Sequence, residues 1–350
     1  MLKRRQVMSG IAGATLVAPF VSKAHAQATL PVRIGVSTSS EFVVIYHGVE
    51  AGVFAKHGLE AKPISYPSGV EMVNALIAGA QEVNTMGSLP FLSGVSRGFP
   101  LVLIGHLHGD PVASSYAPNQ SIVAGPKLQA NPGDLAALVG KTVGLPRGAS
   151  AEGYLRGMMR QAGIADDRYK LVNLAPPNMI ATLRGGDVDA IAVWEPWATG
   201  ATKAVAGATR LSLGGCNTCY DPGTILTTKS VISGNPEVLR RTVLAIAECQ
   251  QWVRANKTGA AVGVAMRWIP GLTEDDWRSG IPIVTYDQRI SKRTLENYMG
   301  KTIPDLKSMG VIRTDPAMAE AIDPQFTNYA QEKGAAFFSD LPPIPADLRV

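Results

Sequence analysis

From Leu30 onward the chain alternates short apolar runs with helix-spaced segments, breaks that rhythm once, and then resumes it; this pattern constrains the fold more than any other feature. Leu30 to Val36 alternates and ends in Ser37-Thr38-Ser39-Ser40, and Phe42 to Lys56 then carries apolar residues at helical spacing up to His57-Gly58. Leu59 to Ser65 predicts a second strand, Gly69 to Gly79 a helix, Glu82 to Met86 a strand, Leu89 to Arg97 a helix and Pro100 to Gly105 a further strand. Short strands separated by helices predict a parallel α/β sheet. A less regular stretch from His106 to Pro118 follows, after which strands at Ser121 to Ala124 and Thr142 to Leu145 begin a second sheet. That block continues as a helix over Ala151 to Gln161, a strand over Tyr169 to Leu174, a helix over Asn178 to Gly185 and a buried strand over Asp189 to Val193. The Gly- and Cys-rich stretch from Gly214 to Gly223 reads as a return crossing, and Pro236 to Asn256 as a long helix.

The N-terminus carries a separate message. Lys3, Arg4 and Arg5 precede an apolar run from Val7 to Val21, and Ala24-His25-Ala26 supplies a small-residue cleavage site, so residues 1–26 read as a signal peptide cut before Gln27. The adjacent arginines leave both general secretion and twin-arginine export open. Pro19 and the shortness of the run argue against a membrane span, which needs about 20 apolar residues. Removing this segment takes away Lys3, Arg4, Arg5 and Lys23, so the net charge of +5 falls to about +1. The remainder has no Lys/Arg cluster interleaved with aromatics, which argues against nucleic acid as a partner. An oxidising compartment also bears on Cys216, Cys219 and Cys249: an odd count leaves at least one thiol unpaired. Cys216-Asn-Thr-Cys219 lies in a loop, where a local disulfide or two free thiols fit better than redox chemistry.

Ligands of open α/β sheets bind beyond the carboxyl ends of the strands, where loops expose N–H groups and helix N-termini carry partial positive charge. Ser37 to Ser40, Gly87-Ser88 and Gly148-Ala-Ser-Ala151 occupy such positions and can offer hydroxyls and amides to an anion, or serve as plain helix caps. Trp194-Glu195-Pro196-Trp197, at the end of a buried strand, can form a cleft wall with Glu195 as an acceptor, or can be packing with Glu195 in a salt bridge or a cap. Arg147 can pair with an anionic ligand or remain a solvated loop arginine. Enzyme signatures are sparse: Glu152 stands where a nucleophile elbow needs glycine, and neither a dinucleotide fingerprint nor a P-loop is present. His47, His57, His106 and His108 are scattered, so no metal or cofactor is expected.

Gly52-Val-Phe54 with Gly58-Leu59, Ala75-Leu-Ile-Ala-Gly79, Gly87-Ser-Leu-Pro90, Gly140-Lys-Thr-Val-Gly144 and Gly185-Gly-Asp-Val-Asp-Ala190 occur in the order found in one family. With them, the mature chain resembles the nitrate/sulfonate/taurine-type periplasmic binding proteins of ABC importers. Leu174-Ala-Pro-Pro-Asn-Met-Ile-Ala181 is similar to the taurine-binding branch, and Trp194-Glu-Pro-Trp197 is more like the nitrate and aromatic-sulfonate relatives. The resemblance implies a type II periplasmic binding fold, each lobe a mixed, mainly parallel sheet flanked by helices and the two joined by crossing strands. Residues 27–112 and 217–350 would form one lobe and 113–216 the other. A hinge would close on the solute and present the closed form to a permease and its ATPase, with the protein a periplasmic monomer that does not span the membrane. Carried over by position, ligand contacts fall at Ser39, Ser40, Gly87, Ser88, Ala149, Ser150, Ala151, Trp194 and Glu195, with Asp221 and Thr224 as further candidates.

Two departures bear on the solute. Taurine binders place a run of hydroxyl residues where this chain has Ala149-Ser150-Ala151, and a small residue where it has Glu195. The expected ligand is therefore a small organic anion or zwitterion, sulfonate- or taurine-like or an aromatic acid; an ionised Glu195 facing the cleft would repel a bare anion such as nitrate. Two rival functions share this fold: a ligand-sensing partner of a membrane receptor, and an enzyme related to those that make the thiamine pyrimidine.

Overall fold

The structure, a computed structural model, describes residues 29–350; the signal peptide and its cut before Gln27 lie outside the described residues. Ten strands form two five-stranded sheets. The first contains β1 (Leu30–Val36), β2 (Leu59–Ser65), β3 (Val83–Met86), β4 (Leu101–His108) and β10 (Gly223–Thr228) in the order β2-β1-β3-β10-β4. The second contains β5 (Gln120–Ala124), β6 (Thr142–Leu145), β7 (Lys170–Asn173), β8 (Ala190–Trp194) and β9 (Thr209–Leu213) in the order β7-β6-β8-β5-β9.

Each sheet is mixed in one consistent way. β1 pairs with β2 and β3 in parallel, whereas β10 inserts antiparallel between β3 and β4. Likewise β6 pairs with β7 and β8 in parallel, and β5 inserts antiparallel between β8 and β9. Four strands of each sheet thus run one way and one opposes them. The opposed strand is in each case the first after the chain arrives from the other sheet. A purely parallel sheet, as the alternation predicts, holds for β1, β2 and β3 and for β6, β7 and β8, which are joined by helical crossovers. It fails at the two strands that arrive by a direct crossing.

Local sequence accounts for most element limits. Ile34 and Val36 of β1 and Leu103 of β4 are fully buried, as a sheet covered on both faces demands. The single helix expected over Phe42 to Lys56 is broken instead. A 3₁₀ turn at Ser40–Phe42 precedes helix Val43–Glu50, then Gly52 takes a left-handed φ of 70° and a short helix resumes at Val53–Lys56. The irregular stretch expected from His106 is also corrected, because β4 runs on to His108, where it pairs with Gly223. Helix Pro236–Asn256 starts with Pro at its first position and Asn235 accepting from Val238 N–H, and it buries Val238, Leu239, Val243, Ile246 and Val253 at helical spacing. Each such aliphatic side chain contributes about 1.5–3 kcal/mol.

The chain passes between the sheets along residues 109–119 and 214–222, and these segments run side by side. Tyr116 N–H donates to Cys219 O at 3.0 Å, and Asp221 N–H donates to Tyr116 O at 2.6 Å. Cys216 and Cys219 form a disulfide packed over Gly157, where a Cβ would lie 2.8 Å from one sulfur and 2.9 Å from the other. Cys249 is free and fully buried, and burial pushes its thiol far above the range in which it ionises.

Candidate functional site

Loops at strand ends of both sheets line one cleft, with about 430 Å³ of empty space including the open solvent at its mouth. Its walls follow from strand direction. Ser37 and Ser39 follow β1, Gly87 follows β3, His108 ends β4, Ala149 and Ser150 follow β6, and Trp194 ends β8. The opposed strands bring their amino ends to the same place, so Asp221 enters just before β10 and Asn119 and Gln120 at the start of β5. Phe42, Met72, Met86 and Pro90 complete an apolar wall.

Loops from both sheets touch directly. The indoles of Trp194 and Trp197 both donate to Thr38 O, at 3.2 and 2.7 Å, and Ser40 Oγ donates to Glu195 O at 3.1 Å. On the opposite lip, Asp221 Oδ1 accepts from Ser88 N–H and from Ser150 Oγ, both at 2.7 Å, while its Oδ2 accepts from Gln120 Nε2 at 3.2 Å. The protein's own carboxylate therefore sits at the starts of helices Ser88–Ser96 and Ser150–Gln161, two of the three positions that sequence reasoning offers to a ligand anion. Burial pushes the Asp221 carboxyl up, while its three donors, Ser150 first, pull it back down.

Of the residues expected to touch ligand, Ser39, Gly87, Ala149, Ser150, Trp194 and Asp221 line the cleft. Ser40, Ser88, Ala151, Glu195 and Thr224 do not. The Ser40 hydroxyl is spent on Glu195 O, and that of Ser88 bonds to Pro222 O at 3.2 Å and to Tyr298 at 2.9 Å. Ala151 is packed behind the lip, and Thr224 Oγ1 donates to Met86 O at 2.8 Å inside the first sheet. Glu195 is the main correction. Its side chain is 0% exposed, ion-paired with Arg210, and accepts from Thr199 N–H at 3.0 Å as a cap on helix Trp197–Ala204. The carboxylate turns inward because Arg210 on β9 and the open helix end together stabilise it better than solvent at the cleft could. Arg147 is likewise turned away, its Nε donating to Glu152 at 3.0 Å.

The side chains that sequence reasoning missed are Glu41, His108, Asn119 and Gln120. Glu41 is only 8% exposed; burial raises its carboxyl to about 7, and the nearby Ser39 hydroxyl opposes the rise without a hydrogen bond of good geometry. His108 Nδ1 lies 3.2 Å from the Tyr116 hydroxyl, which accepts from Thr285 N–H at 3.1 Å. The histidine Nε2 lies 3.9 Å from Glu41 Oε1. Burial lowers His108 to about 3, so it is neutral at physiological pH. Among the described residues no Lys or Arg lines the cleft, while Glu41 and Asp221 both do. One signal in the sequence could have found Asn119 and Gln120: they stand at the amino end of the strand that restarts the pattern after a crossing.

A sequence profile of the NMT1-like family matches residues 25–267. A putative binding protein of Brucella abortus is 23% identical over 267 residues, 73% of this chain and 76% of that one. The taurine-binding periplasmic protein of Escherichia coli is 27% identical over 183 residues, 52% of this chain and 53% of its own length. Among solved structures, the alkanesulfonate-binding protein SsuA from Xanthomonas axonopodis, bound to MOPS, superposes with a TM-score of 0.71 at 19% identity, over 85% of this chain and all of the other. The same fold also carries an enzyme: the desulfurization enzyme DSZB superposes with a TM-score of 0.60 at 16% identity, over 87% of this chain and 99% of that one. At these identities the structural likenesses establish the fold alone.

Proposed function

Since the chain belongs to the NMT1-like family, we propose that it is the periplasmic solute-binding component of an ABC importer, capturing one small organic solute between its two sheets and delivering it to a permease. The observation that carries this reading is the cleft: hydrogen-bonding loops from both sheets meet around one cavity, and the chain passes between the sheets along two paired segments. A hinge at those segments, with residues 27–112 and 217–350 moving against 113–216, would open and close the lips without disturbing either sheet. The loss of the Thr38, Ser40 and Ser150 contacts on opening explains why a closed form would be recognisably different to a partner. Periplasmic export fits the signal peptide read from the sequence, and among the described residues no helix is long and apolar enough to cross a membrane.

The cleft composition also narrows the solute. A bare anion would face two carboxylates and no cation, so of the classes the sequence allows, a zwitterion fits better than nitrate or a simple sulfonate. Catalysis is not the preferred reading, because the Ser150 hydroxyl donates to Asp221 and not to a histidine base. The test is intrinsic fluorescence and small-angle scattering of the mature, ligand-stripped protein against taurine, alkyl- and arylsulfonates, nitrate, aromatic acids and amines. Trp194 lines the cleft, so saturable emission change with a fall in radius of gyration is the expected result. Conversion of a bound compound into product would refute the transport reading in favour of an enzyme.

A further inference from the structure

Which end of the solute the cleft reads can be derived from the groups it leaves unsatisfied. Four buried polar atoms along its wall have no hydrogen-bond partner among the described residues: Ser39 Oγ, Glu41 Oε2, Asn119 Oδ1 and Gln120 Oε1. Their residues are between 1% and 8% exposed. All four can accept; the serine can donate as well, and so can Glu41 once protonated. The orientation of the Gln120 amide is set by its own bond: its nitrogen faces the Asp221 carboxylate, where the oxygen would be repelled, so the oxygen is the free end. Leaving a buried acceptor unpaired costs about 1–3 kcal/mol, and more for a carboxylate, so such groups gather where a ligand completes them.

The charge balance points the same way. Two of the three loops that could hold an anion, those at Ser88 and Ser150, already face Asp221, His108 is neutral, and no cation lines the walls among the described residues. We propose, building on the solute-binding reading, that the cleft recognises its solute through a nitrogen cation, a primary ammonium or amidinium on a small apolar body, with Glu41 as its counter-charge and Ser39, Asn119 and Gln120 as its remaining acceptors. Phe42, Met86, Pro90 and Trp194 supply the apolar wall for the body. A carboxylate, sulfonate or nitrate end is read by none of these atoms.

The test is titration calorimetry on the mature, ligand-stripped protein with five matched one-ring probes: benzylamine, benzamidine, benzyl alcohol, benzoate and benzenesulfonate. The expected result is binding of at least one of the two cations, little or none of the other three, and weakening of that cation by about ten- to a hundredfold in Glu41→Gln. Ser39→Ala, a milder change, should weaken the same probe by a smaller factor and covers the case in which Glu41→Gln folds poorly. Benzyl alcohol binding as tightly as benzylamine would overturn the proposal, as would failure of both cations. Benzoate or benzenesulfonate binding in their place would also overturn it, and tightening of that binding below pH 7 would identify a protonated Glu41 acting as donor. In that last case the solute-binding reading survives, whereas turnover of a probe would remove it.

Discussion

Replacing Glu41 by Gln tests the electrostatics of the cleft without any ligand. In the folded protein this carboxyl protonates near 7, against an ordinary value of 4.5. Between those pH values the folded state keeps a proton that the unfolded chain has released, so stability is highest below about 4.5 and falls as pH rises to about 7. The full displacement corresponds to about 3 kcal/mol. The groups facing Glu41 do not blur this window. His108 stays neutral above about 3, burial pushes the hydroxyls of Tyr116 and Tyr286 upward, and Asp221 adds a like charge that reinforces the rise. A neutral amide of the same shape has no such dependence. Glu41→Gln should therefore match wild type near pH 4 and exceed it at pH 8 by up to about 3 kcal/mol, roughly 4 °C in Tm for a chain of this length at about 2.1 cal/mol/K of unfolding entropy per residue. Thermal unfolding followed by circular dichroism across pH 4–8, read as the difference between the two proteins, cancels the titrating groups that do not interact with Glu41. A difference that is flat with pH, or that favours wild type as pH rises, would show that Glu41 is not a desolvated carboxylate and would remove the basis for a cationic solute.

Other substitutions probe the lips and the frame. Gly87→Ala places a Cβ 2.0 Å from Ser150 Oγ and 3.0 Å from Asp221 Oδ1; it should cost about 1–3 kcal/mol or hold the lips apart, visible as a lower Tm or a larger radius of gyration. Arg210→Ala leaves the fully buried Glu195 without its partner and should destabilise by about 3–5 kcal/mol in denaturant unfolding, with Glu195→Gln in the same chain recovering much of the loss. Reduction of Cys216–Cys219, or Ser at both positions, opens a loop of sequence separation 3 and should cost about 2 kcal/mol, measured as the shift in urea midpoint.

What could be read from the chain in advance was what local chemistry controls. β2 covers the predicted Leu59–Ser65 and β1 the predicted Leu30–Val36, because apolar runs bounded by Gly58 and by the Ser37–Ser40 loop leave few alternatives. Four cleft residues, Ser39, Gly87, Ala149 and Ser150, were legible for a related reason: short loops of small residues after strands lie beyond the strand ends whatever the details of packing, whereas Asp221 followed only from the family resemblance. By contrast, β9 and β10 escaped notice, since Gly223-Thr-Ile-Leu-Thr-Thr228 is buried on both faces and offers no alternation to recognise.

The direction of individual side chains was a tertiary decision. Glu195 and Glu41 are both carboxylates beside aromatic residues close to strand ends, and nothing local distinguishes them. Arg210, fifteen residues further along the chain, draws Glu195 inward, while no cation reaches Glu41 among the described residues and it is left facing the cavity. The sequence alone determined the two sheets' rhythm and the family pattern, both properties of short segments. Only the folded chain decided which acid faces the cavity, because that depends on a charge balance among residues as far apart as Ser39, Gln120 and Asp221, brought together at the ends of parallel and opposed strands.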